Sequence, residues 1–514
     1  MKSWVRHPLF VFGLVLLWRV LLLVFTAQPV PGNDAFGYDG AVVNFLHGGR
    51  YCNPSMALVF PISGTQVYSM YPPAYQGVLL IWMKVFGASA LSAMAMHVAL
   101  FAVCGFLTLE IIQRFFPAAK GQALAVWLLL GFTFDDRPEA LAFVFGLAAL
   151  WLATRQISNP SSGLGLAVVL TAVLFLGLYS SVIVGAYFFG AGFLACLAAC
   201  VWRRNVIWCV PFIAAAVLFV LATVCIAKCQ PLWWAGFQES ARQQTVMTTG
   251  FHPPHLDGLL KLARSVPVFL LGLAAVPLVW TRRREIFAGE SPWLALAAGI
   301  LVMGWGLLAA SVTLLAPNYV NYAIYTQLIL AAGLLALAQR HFPARERLLR
   351  GLLLGCVLLA AIRAAGMTTW GAACAWKNSY QNTHAALQTE FAPFVAADKP
   401  VLVSSAFLYQ AVDMGVRDAI HCDWYFDHTQ WSDHAQMDGL IRVRPARLVL
   451  TQFDYYRAFV APLEQLRQRP GLVDFRVRNL AAVPVPDANP ALQRVVQHIS
   501  WAPVIVDLDW KAKF

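Results

Sequence analysis

Long apolar stretches recur along the first 370 residues, and they restrict the possible folds more than any other feature. A helix that crosses a bilayer needs about 20 mostly apolar residues, and roughly eleven stretches qualify. Because 60% of all residues are hydrophobic and only 12% are charged, the chain lacks the charged surface of a soluble globule. The sequence therefore predicts a polytopic α-helical membrane protein. The predicted spans are 8–27, 88–113, 118–134, 138–155, 164–179, 181–201, 206–228, 266–280, 292–315, 320–339 and 350–370.

The distribution of charge divides the chain into two parts. Residues 1–370 carry 34 charged side chains, whereas the shorter segment 371–514 carries 28, evenly split between basic and acidic. We therefore predict a transmembrane catalytic domain at 1–370 and a soluble domain at 371–514. In the second, strand-like and helix-like runs alternate as in a small α/β layer domain. The predicted strands are Val401–Ser404, Arg447–Thr451, Val473–Val477 and Val504–Leu508, and the predicted helix is Tyr455–Gln468.

The basic residues indicate the orientation of the spans. Lysines and arginines concentrate on the cytoplasmic side of membrane proteins, and 14 of them fall at the N-terminus and the even-numbered connections. This pattern predicts a cytoplasmic N-terminus and an extracytoplasmic soluble domain. No short apolar region with a small-residue cleavage site precedes the first span, so we expect this span to be an uncleaved anchor. The expected location is the cell (inner) membrane, as a multi-pass protein. The formal net charge of +12 is mainly a topology signal, so we expect no nucleic-acid partner.

The first loop on the outer side begins with an acidic motif. Asp34 lies a few residues beyond the first span, Tyr38 and Asp39 follow it, and Tyr71 comes later in a Tyr-Pro-Pro segment. A carboxylate close to the membrane is suited to deprotonate an acceptor hydroxyl when the donor is a lipid. Such general-base catalysis contributes typically ~10²–10⁴-fold. Asp34 and Asp39 are equally suited to cap a short interfacial helix, and the residues alone leave both interpretations open.

The second outer turn combines two adjacent acids with an arginine. Asp135, Asp136, Arg137 and Glu139 stand where the fourth span begins. The spacing of Asp136 and Glu139 is that of a capping box, and Pro138 suits the first helical turn. Charged groups this close to a bilayer are nevertheless costly and usually functional. Since an arginine at a helix N-terminus also favours a phosphate, we favour substrate binding over capping alone.

Two further cations are candidate substrate contacts. Lys84 precedes the second span, where its ammonium group can extend to the interface or meet a lipid phosphate. Arg242 lies in the second long outer loop together with His252 and His255. The residues themselves leave the role of both cations open.

The soluble domain contains a cluster of histidines and carboxylates. Its spacings match no familiar metal site, so a solvated loop is favoured; a divalent metal stays possible as a cofactor, and no metal ligand is assigned. Cys52, Cys374 and Cys422 lie outside the spans and can oxidise, but their pairing cannot be deduced. Nucleotide binding has no support, because no Walker or Rossmann glycine pattern is present. The cluster comprises His421, Asp423, Asp427, His428, Asp433 and His434.

The outer-loop motifs resemble those of the GT-C glycosyltransferase superfamily. The resemblance is carried by Asp34 just after the first span, Tyr38 four residues on, a Leu-x-Gly-Gly sequence and the Tyr-Pro-Pro segment. The pattern is most similar to the bacterial branch related to protein O-mannosyltransferases and the lipid A aminoarabinose transferase. The Asp-Arg-Pro-Glu opening of the fourth span also looks like that branch.

This resemblance implies a function and a site. Such enzymes take a sugar from a polyprenyl-phosphate carrier on the non-cytoplasmic side and transfer it to a hydroxyl, usually with inversion. The acceptor is expected to be a glycan, a lipid or a protein. Asp34 matches the family's first-loop catalytic acid and would be the base or would orient the acceptor. Asp136 matches the second acidic position and is expected to be catalytic; with Glu139 it would position the substrate. Arg137 would stabilise the leaving phosphate. The expected substrate-binding residues are Tyr38, Asp39, Tyr71, Lys84, Asp135, Arg137, Glu139 and Arg242.

The chain departs from the family pattern in two places. The family often has Asp-Glu where this chain has Asp34-Ala35, and it often has a basic residue where this chain has Tyr71. The usual phosphate contact would then be made by Arg137, Lys84 or Arg242.

Three other functions remain compatible with the sequence. An O-antigen-type polymerase or ligase, or another polyprenol-phosphate mannosyltransferase branch, would use a different donor. A transporter or flippase of lipid-linked saccharides would be expected to show internal repeats and helices broken in mid-membrane, whereas here the acids cluster at the outer face. A membrane-anchored scaffold for the outer domain would need no polar cavity near Asp34 and Asp136.

Overall fold

In the residues that it describes, the computed structural model shows a mostly helical chain with one mixed β-sheet near its C-terminus. In the part of the chain that it describes, five helices are long and apolar enough to cross a membrane. This confirms the predicted fold class. The structure describes residues 13, 16–17, 20, 35–117, 139–158, 163–203, 206–248, 275–288, 291–313, 319, 322–341, 380–395, 399–426, 433–468, 472–480 and 502–511.

Most described helices of the first part coincide with predicted spans. Predicted spans 118–134 and 350–370, and nearly all of 8–27, lie outside the described residues, as does the predicted domain boundary near residue 370. The total of about eleven spans therefore stays a prediction. The helices are α1 Ala35–Leu46, α2 Pro61–Thr65, α3 Ala74–Phe86, α4 Ala90–Phe115, α5 Glu139–Ser158, α6 Leu164–Ser180, α7 Val182–Arg203, α8 Val210–Cys229, α9 Pro231–Thr248, α10 Ala275–Thr281, α11 Arg283–Phe287, α12 Pro292–Thr313 and α13 Ile324–His341.

Small residues allow the apolar helices to pack closely. At Gly299 of α12, an added Cβ would lie 2.2 Å from the carbonyl oxygen of Ala191 in α7. At Gly185 of α7, it would lie 2.7 Å from the backbone of Gly177 in α6. Close backbone approach at glycine is a common means of packing helices in membranes, where hydrophobic burial contributes little.

The loop predicted to be the first on the outer side is folded into helices. Helix α1 comes first, a single 3₁₀ turn at Pro54–Met56 and the short α2 follow, and α3 leads to the membrane helix α4. The Tyr-Pro-Pro segment ends where α3 begins, with Pro73 as its N-cap residue. Ser89 caps α4 by accepting a hydrogen bond from the Ser92 amide, which satisfies one of the free donors of the first turn.

The C-terminal part contains a five-stranded sheet of order β2-β1-β3-β5-β4. Strands β2, β1 and β3 are parallel to each other, whereas β5 is antiparallel to both β3 and β4. The four predicted strands are confirmed, and β2, which has three residues, was not predicted. The predicted helix is confirmed, with a π-helical opening at Tyr455–Phe459. The elements are α14 Tyr380–Phe391, β1 Val401–Val403, α15 Ser405–Asp413, β2 Ala419–His421, α16 Asp433–Val443, β3 Arg447–Thr451, α17 Val460–Arg467, β4 Leu472–Asn479 and β5 Pro503–Trp510.

Ion pairs fasten α14 to the sheet. Buried Glu390 of α14 binds Arg447 of β3 at 2.7 Å and Arg478 of β4 at 2.9 Å. Both arginines also bind Asp507 of β5, at 2.6 and 3.1 Å. The shared partners link one helix to three strands.

The sheet domain and the first outer loop share one apolar core. Phe36 and Val42 of α1 and Tyr75 of α3 belong to the same buried cluster as Val403 of β1 and Phe407 of α15. A second cluster packs Trp424 of the sheet domain against Phe60, with ring centroids 5.0 Å apart. The sheet domain is therefore continuous in its packing with the first loop.

Candidate functional site

Helix α1 carries the first part of the site. It begins at Ala35, directly after Asp34, which lies outside the described residues. Residues 36–43 are all buried, although an outer-loop helix would normally leave one face in water. The amide of Phe36, in the first turn, donates to the Ser405 hydroxyl at 3.1 Å. A side chain of the sheet domain thus satisfies one of the free donors at the start of α1.

The carboxyl group of Asp39 lies at the centre of a buried hydrogen-bond network. The side chain is fully buried. The Tyr75 hydroxyl donates to its Oδ1 at 2.9 Å, and the Tyr409 hydroxyl donates to its Oδ2 at 2.6 Å. Burial raises the pKa of Asp39 to about 7, and the two hydrogen bonds oppose that rise. Because Asp39 lies inside α1 and binds two tyrosines, the capping interpretation is wrong for this residue.

The network continues into the first described membrane helix. The Tyr75 oxygen lies 3.0 Å from Nε2 of His97 in α4. Since the single Tyr75 proton is donated to Asp39, His97 must be the donor in this pair. Nδ1 of His97 then has no hydrogen-bond partner among the described residues. Four polar groups therefore connect the sheet domain, the first loop and the membrane helix in one chain of contacts.

Aromatic side chains surround this network. Tyr38 is buried and meets Tyr71 edge to face, with ring centroids 4.9 Å apart. Tyr68 is also buried, and burial raises the pKa of its hydroxyl well above the usual range, with Asp39 contributing to the rise. The structure thus brings three of the sequence-predicted site residues together: Tyr38, Asp39 and Tyr71.

Two of the predicted cations, Lys84 and Arg242, are exposed. Lys84 lies in the last turn of α3, and Arg242 lies on α9. Among the described contacts, α9 instead approaches the first loop through Glu239, whose Oε2 accepts from the Ile62 amide at 3.4 Å. Burial raises the pKa of Glu239. The sequence shows this acid in the outer loop but gives no reason to select it.

The second outer turn is described only from Glu139 onward. Asp135, Asp136 and Arg137 lie outside the described residues. Glu139 is the first described residue of α5; it is buried and accepts from the Tyr322 hydroxyl at 2.9 Å. Tyr322 lies two residues before α13, so the structure joins the predicted fourth and tenth spans at this acid.

The histidine and carboxylate cluster is only partly brought together. His421 and Asp423 follow β2, and with Cys422 they place three ligand-type atoms within 4.8 Å of one another. Nδ1 of His421 accepts from the Asp423 amide at 3.0 Å, and Asp423 binds Arg457 at 3.4 Å. Both groups therefore already have protein partners. His434 is exposed at the start of α16, Asp433 begins that helix, and Asp427 and His428 lie outside the described residues.

Two of the three cysteines that the sequence predicts can oxidise lie among the described residues. Cys52 and Cys422 are both buried and free of disulfide bonds, and Cys374 lies outside the described residues. Burial raises the pKa of both thiols, which disfavours the thiolate that reacts with oxidants.

A buried hydrogen-bond network at the ends of the parallel strands was not predicted from the sequence. Ser404, after β1, donates to Asp454 Oδ2 at 2.5 Å, and Thr451, at the end of β3, donates to the same oxygen at 2.8 Å. The Asp454 amide in turn donates to the Thr451 hydroxyl. Burial raises the pKa of Asp454. The Thr-x-x-Asp spacing is a capping signal and would have identified this pair.

Comparisons with known proteins give a fold-level similarity. No family model matches the chain, and no curated protein matches it. Among solved structures, the chain is similar to ArnT from Cupriavidus metallidurans bound to undecaprenyl phosphate, with 13% identity and a TM-score of 0.49, covering 96% of this chain and 97% of that one. The apo form of ArnT gives the same values. The oligosaccharyltransferase of Archaeoglobus fulgidus, in complex with Zn and sulfate, has 11% identity and a TM-score of 0.45, covering 89% and 71%.

These structures belong to the GT-C superfamily that the sequence motifs resemble. Their identities are low and their TM-scores are below 0.5. Such a likeness concerns the fold alone.

Proposed function

We propose that the chain is an integral-membrane glycosyltransferase. It transfers a sugar from a polyprenyl-phosphate-linked donor to a hydroxyl of a glycan, lipid or protein on the non-cytoplasmic face. The observation that carries this proposal is the buried Asp39 network. Through this network, helix α1, which follows Asp34 in the sequence, contacts both the membrane helix α4 and the sheet domain. Buried polar groups at such a position are costly and usually functional.

The proposed reaction requires a base, an electrophilic sugar and a stabilised leaving phosphate. Asp34 accepts the proton of the acceptor hydroxyl. The acceptor oxygen then bonds to the anomeric carbon while the bond from that carbon to the phosphate oxygen breaks, with inversion. Polyprenyl phosphate leaves as the second product. Arg137 stabilises the charge that develops on this phosphate.

The remaining predicted residues bind the substrates. Asp136, with Asp135 and Glu139, positions the donor at the second outer turn. Tyr38 and Tyr71 form an aromatic surface beside Asp39, and tyrosine rings offer both an apolar face and a hydroxyl to a sugar. Lys84 and Arg242, which are both exposed, supply cations for the phosphate at the membrane surface.

The test is a pair of isosteric substitutions. In a strain that lacks the protein, we expect Asp34→Asn and Asp136→Asn to abolish restoration of the missing envelope glycan or glycoprotein, because each removes a carboxylate without changing its volume. Mass spectrometry of envelope glycans and glycoproteins measures the product. The matched control is Asp438→Asn, which changes an exposed acid of α16 and should restore the product fully.

Two outcomes would contradict the proposal. A normal product from Asp34→Asn at normal protein level would remove the proposed base. Uptake of a lipid-linked saccharide by sealed vesicles, without sugar transfer, would identify the chain as a transporter or flippase instead.

A further inference from the structure

Three polar residues on one face of α15 meet α1. Ser405, Tyr409 and Asp413 are spaced four residues apart, so they lie along one side of the helix. Ser405 Oγ accepts from the Phe36 amide at 3.1 Å, and Tyr409 donates to Asp39 at 2.6 Å. Asp413 binds Nε2 of His47 at 3.1 Å. The three contacts follow α1 from its first turn to just beyond its last residue.

The middle contact is buried, whereas the last one is partly exposed. Asp39 and Tyr409 are both fully buried, and the Phe36 ring packs edge to face on Tyr409 with centroids 5.0 Å apart. The His47 and Asp413 side chains are 38% and 34% exposed. Exposed ion pairs contribute only about 0–1 kcal/mol. The hold of α15 on α1 therefore depends on the first two contacts, and the His47 pair provides a matched control.

Asp39 also links α1 to the membrane part through Tyr75 and His97. The same carboxyl group thus accepts one hydrogen bond from the sheet domain and one from the outer end of the membrane domain. Both carboxyl oxygens accept, which is the arrangement of an ionised carboxylate. Loss of either acceptor would leave a buried tyrosine hydroxyl without a partner at Asp39.

We infer that the soluble domain, through α15, holds α1 in place for sugar transfer, with Asp39 as the positioning residue. Asp34 is the residue before Ala35, the first residue of α1, in the sequence. The soluble domain is then part of the catalytic unit and not an appended binding module. This inference rests on the proposed function, in which Asp34 is the base.

The first experiment compares Asp39→Asn with wild type in detergent-solubilised membranes containing the endogenous lipid-linked donor, from pH 6 to pH 8. Asparagine mimics a protonated carboxyl, because it offers one acceptor and one donor. At pH 6 the activities should therefore be similar, and at pH 8 the variant should be at least ~10-fold less active, as expected for loss of one hydrogen bond to a charged group. A ratio that does not change with pH would overturn the inference. A ratio that changes in the opposite direction would also overturn it, because a purely structural role would act through stability, which Asp39 lowers as the pH rises.

The pH dependence must be assigned to Asp39 and not to a neighbour. The titratable groups that face it are the hydroxyls of Tyr75, Tyr409 and Tyr68, and beyond Tyr75 the ring of His97. Free tyrosines titrate near pH 10, outside the window. The ratio should therefore keep its pH dependence when both proteins carry His97→Asn; its disappearance would assign the effect to His97 and overturn the role of Asp39.

The second experiment measures how firmly α15 holds α1, and it needs no activity assay. Tyr409→Phe removes one hydroxyl from a folded interface, so it remains informative if Asp39→Asn does not fold. Hydrogen exchange of purified full-length protein should show at least ~10-fold faster exchange of the α1 amides in Tyr409→Phe, and His47→Ala should leave it unchanged. Unchanged exchange in Tyr409→Phe would overturn the inference.

The two proposals fail in distinguishable ways. If Asp34→Asn is fully active while Tyr409→Phe loosens α1, the assigned base is wrong and the hold of α15 on α1 stands. If Asp34→Asn is inactive while Tyr409→Phe and Asp39→Asn match wild type in exchange and activity, the glycosyltransferase proposal stands and the inference is wrong.

Discussion

Two buried acids of this protein are stabilised by different partners. Asp39 accepts hydrogen bonds from two neutral tyrosines, whereas Glu390 lies between Arg447 and Arg478. A hydroxyl donates a hydrogen bond without bringing a charge, so it only partly offsets the cost of burying a carboxylate. Two guanidinium groups supply charge as well as hydrogen bonds.

The two sets of partners suit Asp39 and Glu390 to different roles. The pKa of Asp39 rises to about 7 because burial outweighs its hydrogen bonds, so its charge changes near neutral pH. Glu390 joins α14 to β3 and β4 with both carboxyl oxygens engaged by arginine. The first arrangement suits a positioning residue in a reaction, and the second suits a structural clamp.

The largest expected effect is a pH dependence of stability that originates at Asp39. Between about pH 4 and pH 7, the folded protein retains a proton that the unfolded chain releases, because burial raises the pKa of Asp39 from 3.8 to about 7. The contribution of Asp39 to the free energy of unfolding therefore decreases as the pH rises through that window, by about 4 kcal/mol in total. Above pH 7 it stays constant. The Tm difference between wild type and Asp39→Asn in detergent, followed from pH 4.5 to 7.5, should decrease accordingly.

This stability effect has the opposite sign to the activity effect expected for the same variant. Raising the pH should lower the Tm of wild type relative to Asp39→Asn, while it raises the relative activity of wild type. Parallel Tm curves for the two proteins would show that Asp39 is ionised at all these pH values and would remove the contrast with Glu390.

A smaller effect is expected when the clamp loses its more buried cation. Arg447→Met leaves Glu390 buried with Arg478 alone, and breaking a buried pair by removing one partner costs about 3–5 kcal/mol. Since Arg478 remains, we expect the lower end of that range, with no change in the pH dependence assigned to Asp39. Thermal unfolding in detergent measures the loss, and a Tm equal to that of wild type would mean that the clamp contributes nothing.

The smallest effect is expected at the more exposed cation of the clamp. The Arg478 side chain is 37% exposed, compared with 14% for Arg447. Solvent screens the Arg478 pairs, so Arg478→Gln should cost at most about 1 kcal/mol. If Arg478→Gln loses as much stability as Arg447→Met, the difference in burial does not determine how much each arginine contributes.

The acid that the structure places at the centre of the network was visible in the sequence, but its partners were not. The sequence predicts Asp39 as a substrate-binding residue or as a helix cap, because it shows only that an acid stands near a helix start. Tyr409, which decides the matter, lies 370 residues away. Ser404 and Glu390 escaped notice for a related reason, since an isolated serine or glutamate in a polar segment carries no local signal.

What the sequence by itself determined is the local and compositional part of this protein. Apolar length predicted the membrane helices, and strand-like runs predicted four of the five strands, because hydrophobic periodicity reports directly on burial. The tertiary structure alone decided which polar groups meet, as in the bond from Tyr322 to Glu139 across 183 residues. Hydrogen bonds and ion pairs between distant segments depend on how the helices and the sheet pack together. No period or spacing along the chain encodes that packing.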